Sequence, residues 1–220
     1  MRVVANAAVS VDGKLSTRER RQVAISGPAD FDRVDRLRAA ADAVLVGVGT
    51  VLADDPSLTL DEEDRRVQRL RDGRSGNPAR AVLDSRARTP PDARLLDDEA
   101  ATHLVVGEGA PADRVSALES AGATVHSVET ADGRIDVAAG LSALGDAGIE
   151  RLFVEGGGEV FFSLFEADLI DELTVYVGSA VIGGRDAPTL VDGEGFLEPR
   201  ELTLTGVERL DDGVVLSYEP

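Results

Sequence analysis

The sequence predicts an α/β fold with a mixed, mostly parallel sheet that is covered by helices and ends in a β-hairpin. Short apolar runs alternate with stretches of helical periodicity, and this alternation is typical of strands connected by helices. Strand-like segments also close the chain, and the turn sequence Asp211-Asp212-Gly213 separates the last two of them. A terminal antiparallel pair on a mostly parallel sheet follows from these observations.

Continuous apolar runs indicate strands, because a strand of a parallel sheet is buried on both faces. The first predicted strand is followed by a polar, glycine-containing loop over Ser10–Gly27. The predicted strands are Arg2–Val9, Ala43–Val46, Ala81–Leu83, His103–Val106, Leu152–Val154, Leu173–Val177, Leu202–Val207 and Val214–Tyr218.

The first predicted helix follows Ser26, which we expect to cap it, with Pro28 near its start. Phe31, Val34 and Leu37 recur three residues apart and predict one apolar face. Further helices are predicted over Ala112–Ala121, Val137–Ala147 and Glu159–Ala167.

The segment Asp61–Asn77 is rich in charged residues and poor in apolar ones, so we expect a surface excursion there. The chain has neither an internal repeat nor a break in composition. At 220 residues, it is therefore predicted to be a single domain over residues 1–220.

The composition excludes several classes of function. The net charge of −18 makes nucleic acid and anionic membrane surfaces poor partners. The absence of Cys excludes disulfides, thiolate nucleophiles and cysteine-bound zinc or iron–sulfur clusters. His103 and His126 are too few for most histidine-based metal sites, so both are interpreted as structural and no metal is expected. The N-terminus has no signal-peptide pattern, and the chain lacks an apolar run of about 18 residues, which together predict a cytoplasmic protein.

The basic residues are almost all arginine: Lys14 is the one lysine among 23 basic residues. Acidic, lysine-poor chains are typical of the cytoplasm of extreme halophiles, where hydrated carboxylates keep proteins soluble. A genome of high G+C content would favour the same residues. We predict a halophilic source.

Four segments that follow predicted strands carry the candidate chemistry. Ser10–Lys14 is either a turn or a functional loop that places an ammonium group at a close contact. Gly47–Pro56 contains glycines that could let the backbone approach a ligand, with Thr50 as a possible cap for a phosphate-facing turn. An ordinary strand-to-helix turn is the alternative.

The other two segments are Glu155–Glu159 and Asp84–Arg86. Three consecutive glycines before a helix could cradle a pyrophosphate, although the G-x-G-x-x-G fingerprint of a Rossmann fold is absent. Arg86 and the nearby Arg88 could attract a polyanionic ligand in this acidic chain, or they could be exposed loop arginines.

Taken in order, these segments resemble the pyrimidine reductases of riboflavin biosynthesis, both the C-terminal domain of the bacterial deaminase–reductase and its stand-alone archaeal counterpart. The resemblance extends from residue 3 to about residue 195. The matching stretches are S-x-D-G-K, the run G-x-x-T-x-L-x-D-D-P-x-L-T that ends at Leu58-Thr59, the Glu155–Glu159 loop, Asp171-Glu172-Leu173 and Gly183-Gly184.

The resemblance implies a dihydrofolate-reductase-like fold, a homodimer, and NADPH as the hydride donor to a ribosylamino-pyrimidinone 5′-phosphate, which becomes the ribitylamino product. The residues that it implies for NADPH binding are Gly49, Thr50, Asp54, Asp84, Ser85, Arg86, Gly156, Gly157, Gly158, Glu159 and Val160, in a stretch that reaches Ser163. Those that it implies for substrate binding are Asp12, Lys14, Arg38, Leu58 and Glu155, with Lys14 and Glu155 as the candidate catalytic residues.

Two departures from the family pattern stand out. Asp61 occupies the position where the bacterial pattern has an arginine that meets the substrate phosphate, so either Arg38 carries more of that role or the register of the match shifts at this point. The zinc motifs of the fused deaminase are absent, so a stand-alone reductase is expected. Water, Asp12 or Lys14 could donate the proton. The alternative functions are an NADPH reductase of the same fold that acts on a pterin-like heterocycle, and a non-catalytic NADPH-binding protein.

Overall fold

The computed structural model describes residues 1–131 and 133–220, and the chain forms two compact units. The first unit consists of Met1 and Asp35–Phe153, and the second consists of Arg2–Val34 and Val154–Pro220. Helix α1 (Pro28–Ala40) and strand β8 (Arg151–Gly156) each contribute residues to both units. The single domain expected from the sequence stays a prediction.

The first unit contains a parallel sheet in which β2 pairs with β3, β3 with β4, and β4 with β5. A short antiparallel hairpin, β6 with β7, follows β5. The strands of this unit are β2 (Ala43–Gly47), β3 (Ala79–Leu83), β4 (Thr102–Gly107), β5 (Thr124–Val128), β6 (Thr130–Ala131) and β7 (Arg134–Ile135). Its helices are α2 (Val48–Asp54), α3 (Glu63–Arg71), α4 (Ala112–Ser120) and α5 (Val137–Asp146), with a 3-10 turn at Arg94–Leu96.

In the second unit, β1 (Arg2–Ser10) pairs in parallel with β9 (Glu172–Gly178). Strand β11 (Gly213–Glu219) is antiparallel to β9 and to β10 (Thr203–Leu210), and the unit also contains helix α6 (Gly158–Glu166). The predicted mixed, mostly parallel sheet with a C-terminal hairpin is therefore confirmed. Leu210 pairs with Gly213, so Asp211 and Asp212 form the turn itself.

The apolar runs correctly predicted strands because these strands lie in the buried core. Every residue of β2 is buried, as a strand covered on both faces requires. The apolar residues of α6 recur on its buried side, where Phe161 and Leu164 are both fully inaccessible to solvent. Among the described residues, no helix is both long enough and apolar enough to span a membrane.

The predicted N-cap residue of α1, Ser26, is wrong. The helix begins at Pro28, and the amides of Ala29 and Asp30 donate to the two carboxylate oxygens of Asp211, at 3.4 and 3.1 Å. The cap thus comes from the hairpin turn, far along the chain, and not from Ser26. A Cβ atom on Gly27 would lie 2.6 Å from the Asp211 carboxylate carbon, so the close approach of the cap requires glycine there.

The predicted apolar face of α1 is also wrong. Phe31 is 59 % exposed, whereas the carboxylates Asp30 and Asp35 are almost fully buried. Asp30 is paired with Arg33, and Asp35 accepts hydrogen bonds from the amides of Asp61 and Glu62. Buried carboxylates with such partners are satisfied, which hydrophobic periodicity alone does not reveal.

The segment Asp61–Asn77 is not a simple surface excursion, because it contains helix α3. The guanidinium of Arg69 is buried and donates to the carbonyl groups of Ala39, Ala41 and Ser75 at 2.7–2.9 Å. Burial lowers the pKa of Arg69 to about 10, so the side chain stays charged at neutral pH. The buried arginine anchors α3 through these three carbonyl groups, and the low apolar content of the segment gave no sign of this role.

Strand β5 and the β6–β7 hairpin were not predicted. His126 of β5 lies beside His103 of β4, with 3.0 Å between Nε2 of His126 and Nδ1 of His103. Their rings are stacked with centroids 5.3 Å apart. This pair belongs to the packing between two strands, in line with the structural interpretation of both histidines.

Candidate active site

In the first unit, two of the candidate segments follow neighbouring parallel strands. Gly47 at the end of β2 pairs with Leu83 at the end of β3. Gly49 and Thr50 come directly after β2, and Asp84, Ser85 and Arg86 come directly after β3. The carboxyl ends of parallel strands are where open α/β sheets bind ligands.

Helix α2 starts immediately after β2, with Gly47 as its N-cap residue in an extended conformation. Thr50 therefore lies in the first turn of the helix, and the prediction that it caps this turn is wrong. A Cβ atom on Gly49 would meet nothing within 4 Å, so this backbone faces open space. Asp54 is the last residue of α2 and is partly buried.

Asp84 is completely buried at the end of β3. Its Oδ2 atom accepts hydrogen bonds from the amide and the hydroxyl of Thr89, at 2.7 and 2.8 Å. Its Oδ1 atom has no hydrogen-bond partner among the described residues, and Arg88 Nε lies 3.9 Å from it. Oδ2 of Asp84 thus stabilises the loop after β3, whereas Oδ1 is a buried acceptor without a donor among the described residues.

Arg86 and Arg88 are exposed and Ser85 is partly buried. The guanidinium of Arg86 passes the β6–β7 hairpin, 3.9 Å from where a Cβ atom of Gly133 would lie. The loop after β3 therefore presents two exposed arginines in a strongly acidic chain.

The structure brings Arg38 and Leu58 together. Arg38 Nη1 donates to the carbonyl of Thr59 at 3.0 Å, directly after Leu58. Leu58 is buried and its φ is +55°, a left-handed conformation that is strained for leucine. Strain of this kind persists only where the surroundings hold it in place, so the backbone here has a fixed shape.

At the departure from the family pattern, Asp61 is exposed and its amide donates to Asp35. Arg66 lies nearby and donates from its Nε atom to the carbonyl of Leu60 at 3.1 Å. The segment after Leu58 thus leads into α3, and buried Asp35 accepts from the two amides that directly precede the helix.

In the second unit, the loop Ser10–Lys14 follows β1. Its turn is closed by the amide of Ser10, which donates to the carbonyl of Lys14 at 2.9 Å, and Gly13 supplies the left-handed conformation with φ at +76°. The half-buried ammonium group of Lys14 donates to the carbonyl of Ala187 at 3.2 Å. Among the described residues this is its one hydrogen bond, so two of its three donors remain for a ligand.

Asp12 is exposed, but both of its oxygens are engaged. Oδ1 accepts from the Ser10 hydroxyl at 2.7 Å and from the Ile182 amide at 3.0 Å, and Oδ2 accepts from the Gly183 amide at 2.7 Å. The Ser10 hydroxyl and these amides lower the pKa of Asp12 to about 2. A carboxyl group with so low a pKa is ionised in the neutral range, which favours water or Lys14 over Asp12 as the proton donor.

The Glu155–Glu159 segment joins the end of β8 to the start of α6. Glu155 is partly buried in β8, and Gly156 and Gly157 have φ of +124° and +93°, conformations that favour glycine. Gly158 is needed for a different reason: a Cβ atom there would lie 2.5 Å from Asp192 Oδ2 and 2.7 Å from the Thr189 carbonyl. Glu159 is exposed and Val160 is buried, and the amide of Val160 donates to the carbonyl of Gly157 at 2.9 Å.

The segment that follows β9 contacts the candidate residues, although only one of its motifs was identified from the sequence. The loop after β1 contacts Ile182, Gly183, Ala187 and Thr189 of this segment, and the start of α6 contacts Asp192. Gly183-Gly184 was the one signal there, and it did not indicate which residues the segment would touch.

These features define an α/β protein in which several candidate residues follow the ends of parallel strands, some of them on glycine-containing turns, an arrangement typical of nucleotide sites. The chain matches the RibD C-terminal domain family over residues 1–216 and belongs to that family.

Among its relatives is the 2,5-diamino-6-ribosylamino-4(3H)-pyrimidinone 5′-phosphate reductase of Archaeoglobus fulgidus, 43% identical over 98% of this chain and 96% of the relative. The enzyme of the same name from Methanothermobacter thermautotrophicus is 41% identical over 98% of this chain and 96% of the relative. In fold, the chain is similar to a pyrimidine reductase-like protein from Corynebacterium diphtheriae, with a TM-score of 0.86, 19% identity, and coverage of 99% of this chain and 91% of that one.

Proposed function

We propose that the protein is a reductase of riboflavin biosynthesis that converts a ribosylamino-pyrimidinone 5′-phosphate to its ribitylamino product with NADPH as the reductant. The observation that carries this proposal is the 43% identity to the archaeal reductase over almost the full length of both chains. The S-x-D-G-K loop, the D-D-P-x-L-T run and the glycine-rich loop after β8 support it.

The residues of each unit are compatible with a bound nicotinamide nucleotide. In the first unit, the open backbone at Gly49 leaves room for one, and the buried Asp84 Oδ1 could accept from a hydroxyl group. Thr50, Asp54, Ser85 and Arg86 complete the proposed NADPH-binding set of this unit, with Arg86 toward the 2′-phosphate. NADPH supplies the hydride when it is bound, and the protein supplies alignment and charge.

In the second unit, Gly156 and Gly157 adopt positive φ values in the turn before α6, and the N-cap residue Gly157 has no side chain to cap the first amides of the helix. We assign the NADPH contacts of this unit to Gly156–Val160. A glycine turn that opens a helix suits an anionic group, because unpaired amides and the helix dipole both favour negative charge.

For the substrate, we assign Lys14, Arg38, Leu58 and Glu155. The two remaining donors of the Lys14 ammonium can hold a hydroxyl or phosphate oxygen. The strained backbone at Leu58 fixes the segment that Arg38 contacts. A carboxylate such as Glu155 can accept hydrogen bonds from pyrimidine amino groups.

We further propose that the 220 residues act as one reductase domain, since the family match covers residues 1–216. A homodimer, a cytoplasmic location and a halophilic source are proposed with it. The family resemblance supports the homodimer, and the charge of −18 with a single lysine supports the halophilic source.

The test is an assay of the purified protein in molar KCl with NADPH and several heterocycles, followed at the nicotinamide absorbance band. Turnover with the ribosylamino-pyrimidinone phosphate and none with pterins is the expected result. NADPH binding without turnover of any of these compounds would contradict the proposal and favour a cofactor-binding protein.

A further inference from the structure

The segment from Ser179 to Asp192, here called the strap, has no role in the proposed function. It follows β9, which ends at Gly178, and it has no regular secondary structure. Arg185 and Asp186 at its middle are exposed, whereas Ala187 is buried. An irregular segment of this length depends on specific contacts for its shape.

The first part of the strap is held by Asp12. The Asp12 carboxylate accepts from the adjacent amides of Ile182 and Gly183 at 3.0 and 2.7 Å. The amide of Val11 donates to the carbonyl of Ala180 at 2.8 Å. Two consecutive amides that point at one carboxylate form a charge-assisted pair of hydrogen bonds.

The middle of the strap runs beside the lysine of the loop after β1. The amide of Leu15 donates to the carbonyl of Pro188 at 2.9 Å, and Lys14 forms an antiparallel bridge with Thr189. The Lys14 ammonium also donates to Ala187. Both the backbone and the side chain of Lys14 therefore depend on where the strap lies.

The last part of the strap rests on the start of α6. Asp192 Oδ1 accepts from the amide and the hydroxyl of Thr189, at 2.9 and 2.7 Å. The amide of Asp192 donates to the carbonyl of Gly158 at 3.1 Å. Gly158 has no space for a side chain on this surface, so the strap and the first residue of α6 are packed in direct contact.

Asp12 is also connected to Lys14 within its own loop. The amide of Lys14 donates to the Ser10 hydroxyl at 2.9 Å, and that hydroxyl donates to Asp12 Oδ1 at 2.7 Å. One carboxylate thus joins the turn that carries Lys14 to the segment that touches both Lys14 and α6.

We propose that Asp12 is a positioning residue that clamps the strap and thereby sets the positions of the Lys14 ammonium and the first residues of α6. This assignment differs from the substrate contact that the family resemblance implied for Asp12. Its kinetic consequences rest on the proposed reductase function, but its structural consequences do not. The low pKa of Asp12 agrees with this role, because hydrogen bonds from the amides stabilise the ionised carboxylate.

The test begins with hydrogen–deuterium exchange on the substrate-free protein in molar KCl. In Asp12→Asn, which keeps the shape but loses the charge, we expect exchange in a peptide covering residues 180–186 to rise about tenfold or more. A peptide from β4 should be unchanged. Asp186→Asn removes an exposed carboxylate from the same strap and serves as the matched control, with no change expected. Asp12→Glu keeps the charge and should recover part of the protection.

Kinetics then separate positioning from direct roles. We expect Asp12→Asn to lower kcat and to raise the KM for NADPH together, because the strap reaches both Lys14 and α6, while the shape of the pH profile stays the same. Unchanged exchange at 180–186 in both Asp12 variants would overturn the proposal. So would an effect confined to the KM for the pyrimidine, or the loss of one limb of the pH profile. If the wild-type protein shows no turnover, the proposed function fails, and the exchange data alone decide the role of Asp12.

Discussion

Lys14 is unusual in the composition of the chain, and its side chain makes a defined contact in the structure. It is the one lysine of the chain, and its ammonium donates to the Ala187 carbonyl at 3.2 Å. An ammonium is a compact charge that can point separate donors at a carbonyl and at a ligand, whereas a guanidinium is a planar fork. The contact therefore gives a physical reason for a lysine in a chain that otherwise uses arginine.

We predict that Lys14→Ala lowers kcat/KM for the pyrimidine. The expected loss of transition-state stabilisation is about 2 to 4 kcal/mol, while the affinity for NADPH stays nearly constant. Lys14→Arg should also be damaging, because the larger group cannot occupy the same point. Steady-state kinetics with an NADPH fluorescence titration in molar salt would measure both effects. Wild-type kinetics in Lys14→Arg would show that the lysine has no special role.

Arg86 permits a prediction about cofactor choice. If it pairs with the 2′-phosphate, Arg86→Ala should reduce the preference for NADPH over NADH by about ten- to a hundredfold, the range for a charge-assisted contact of roughly 1.5–3 kcal/mol. High salt will reduce the effect. The exposed Arg114 on α4 provides a control for the loss of one positive charge. Equal changes for the two cofactors in Arg86→Ala would place the adenosine end elsewhere.

At the scale of the elements, the glycines at the two helix starts have opposite environments. Gly49 in the first turn of α2 faces open space, whereas Gly158 at the start of α6 is pressed against Asp192 and the Thr189 carbonyl. The missing side chain of Gly49 leaves room for a ligand, whereas that of Gly158 allows the segment containing Thr189 and Asp192 to pack against the helix. A helix start can thus contain glycine for reasons that the sequence does not distinguish.

We predict that Gly49→Ala leaves the melting temperature unchanged or slightly raised, because alanine favours a helix by up to about 1 kcal/mol. NADPH binding should nevertheless weaken if the cofactor approaches this backbone. Gly158→Ala should destabilise the protein by about 1 to 3 kcal/mol through overpacking. Thermal melting and NADPH titration of the two variants form a matched pair. Unaltered NADPH affinity in Gly49→Ala would remove Gly49 from the proposed site.

The histidine pair between β4 and β5 predicts a pH dependence of stability. Burial lowers the pKa of both His103 and His126, and the proximity of His126 lowers that of His103 further. The folded protein therefore favours neutral rings, and the unfolded chain binds more protons as the pH falls through its ordinary value of about 6.5. Stability is retained above that pH and decreases below it. Melting in molar salt between about pH 7.5 and 5.5 should show this slope, and the double variant His103→Gln with His126→Gln should flatten it. An equal slope in the double variant would assign the effect to other groups.

At the scale of the whole molecule, charge dominates. There are 41 acidic residues against 23 basic ones, which gives the net charge of −18. Such an excess destabilises a compact state through self-repulsion unless salt screens it. The internal ion pairs and capping carboxylates use only part of the acidic residues.

We predict that the protein loses activity or unfolds at low ionic strength and is restored by molar KCl. The measurement is the melting temperature and the reductase rate as a function of KCl concentration, with the melting temperature expected to rise with salt. Full activity and an unchanged melting temperature at about 0.05 M salt would contradict the halophilic interpretation.

The sequence by itself was sufficient for elements whose signal is local. The buried strands β2, β4 and β8 were recognisable because a strand covered on both faces needs a continuous apolar run. Helices α4, α5 and α6 were predicted to within one or two residues because their apolar periodicity lies within the helix itself. The family motifs were also local, since each surrounds a single turn.

The tertiary structure alone decided which distant groups meet. Asp211 caps α1, Arg69 anchors α3 through carbonyl groups, and Asp12 holds the strap, although each pairs with a segment far away in the chain. A charged residue in the sequence is compatible with a solvated surface as much as with a buried, hydrogen-bonded position. Only the folded chain determines whether a donor or an acceptor lies within about 3 Å of such a residue. A buried polar group needs a hydrogen-bond partner, and here that partner comes from a distant segment that no local sequence pattern identifies.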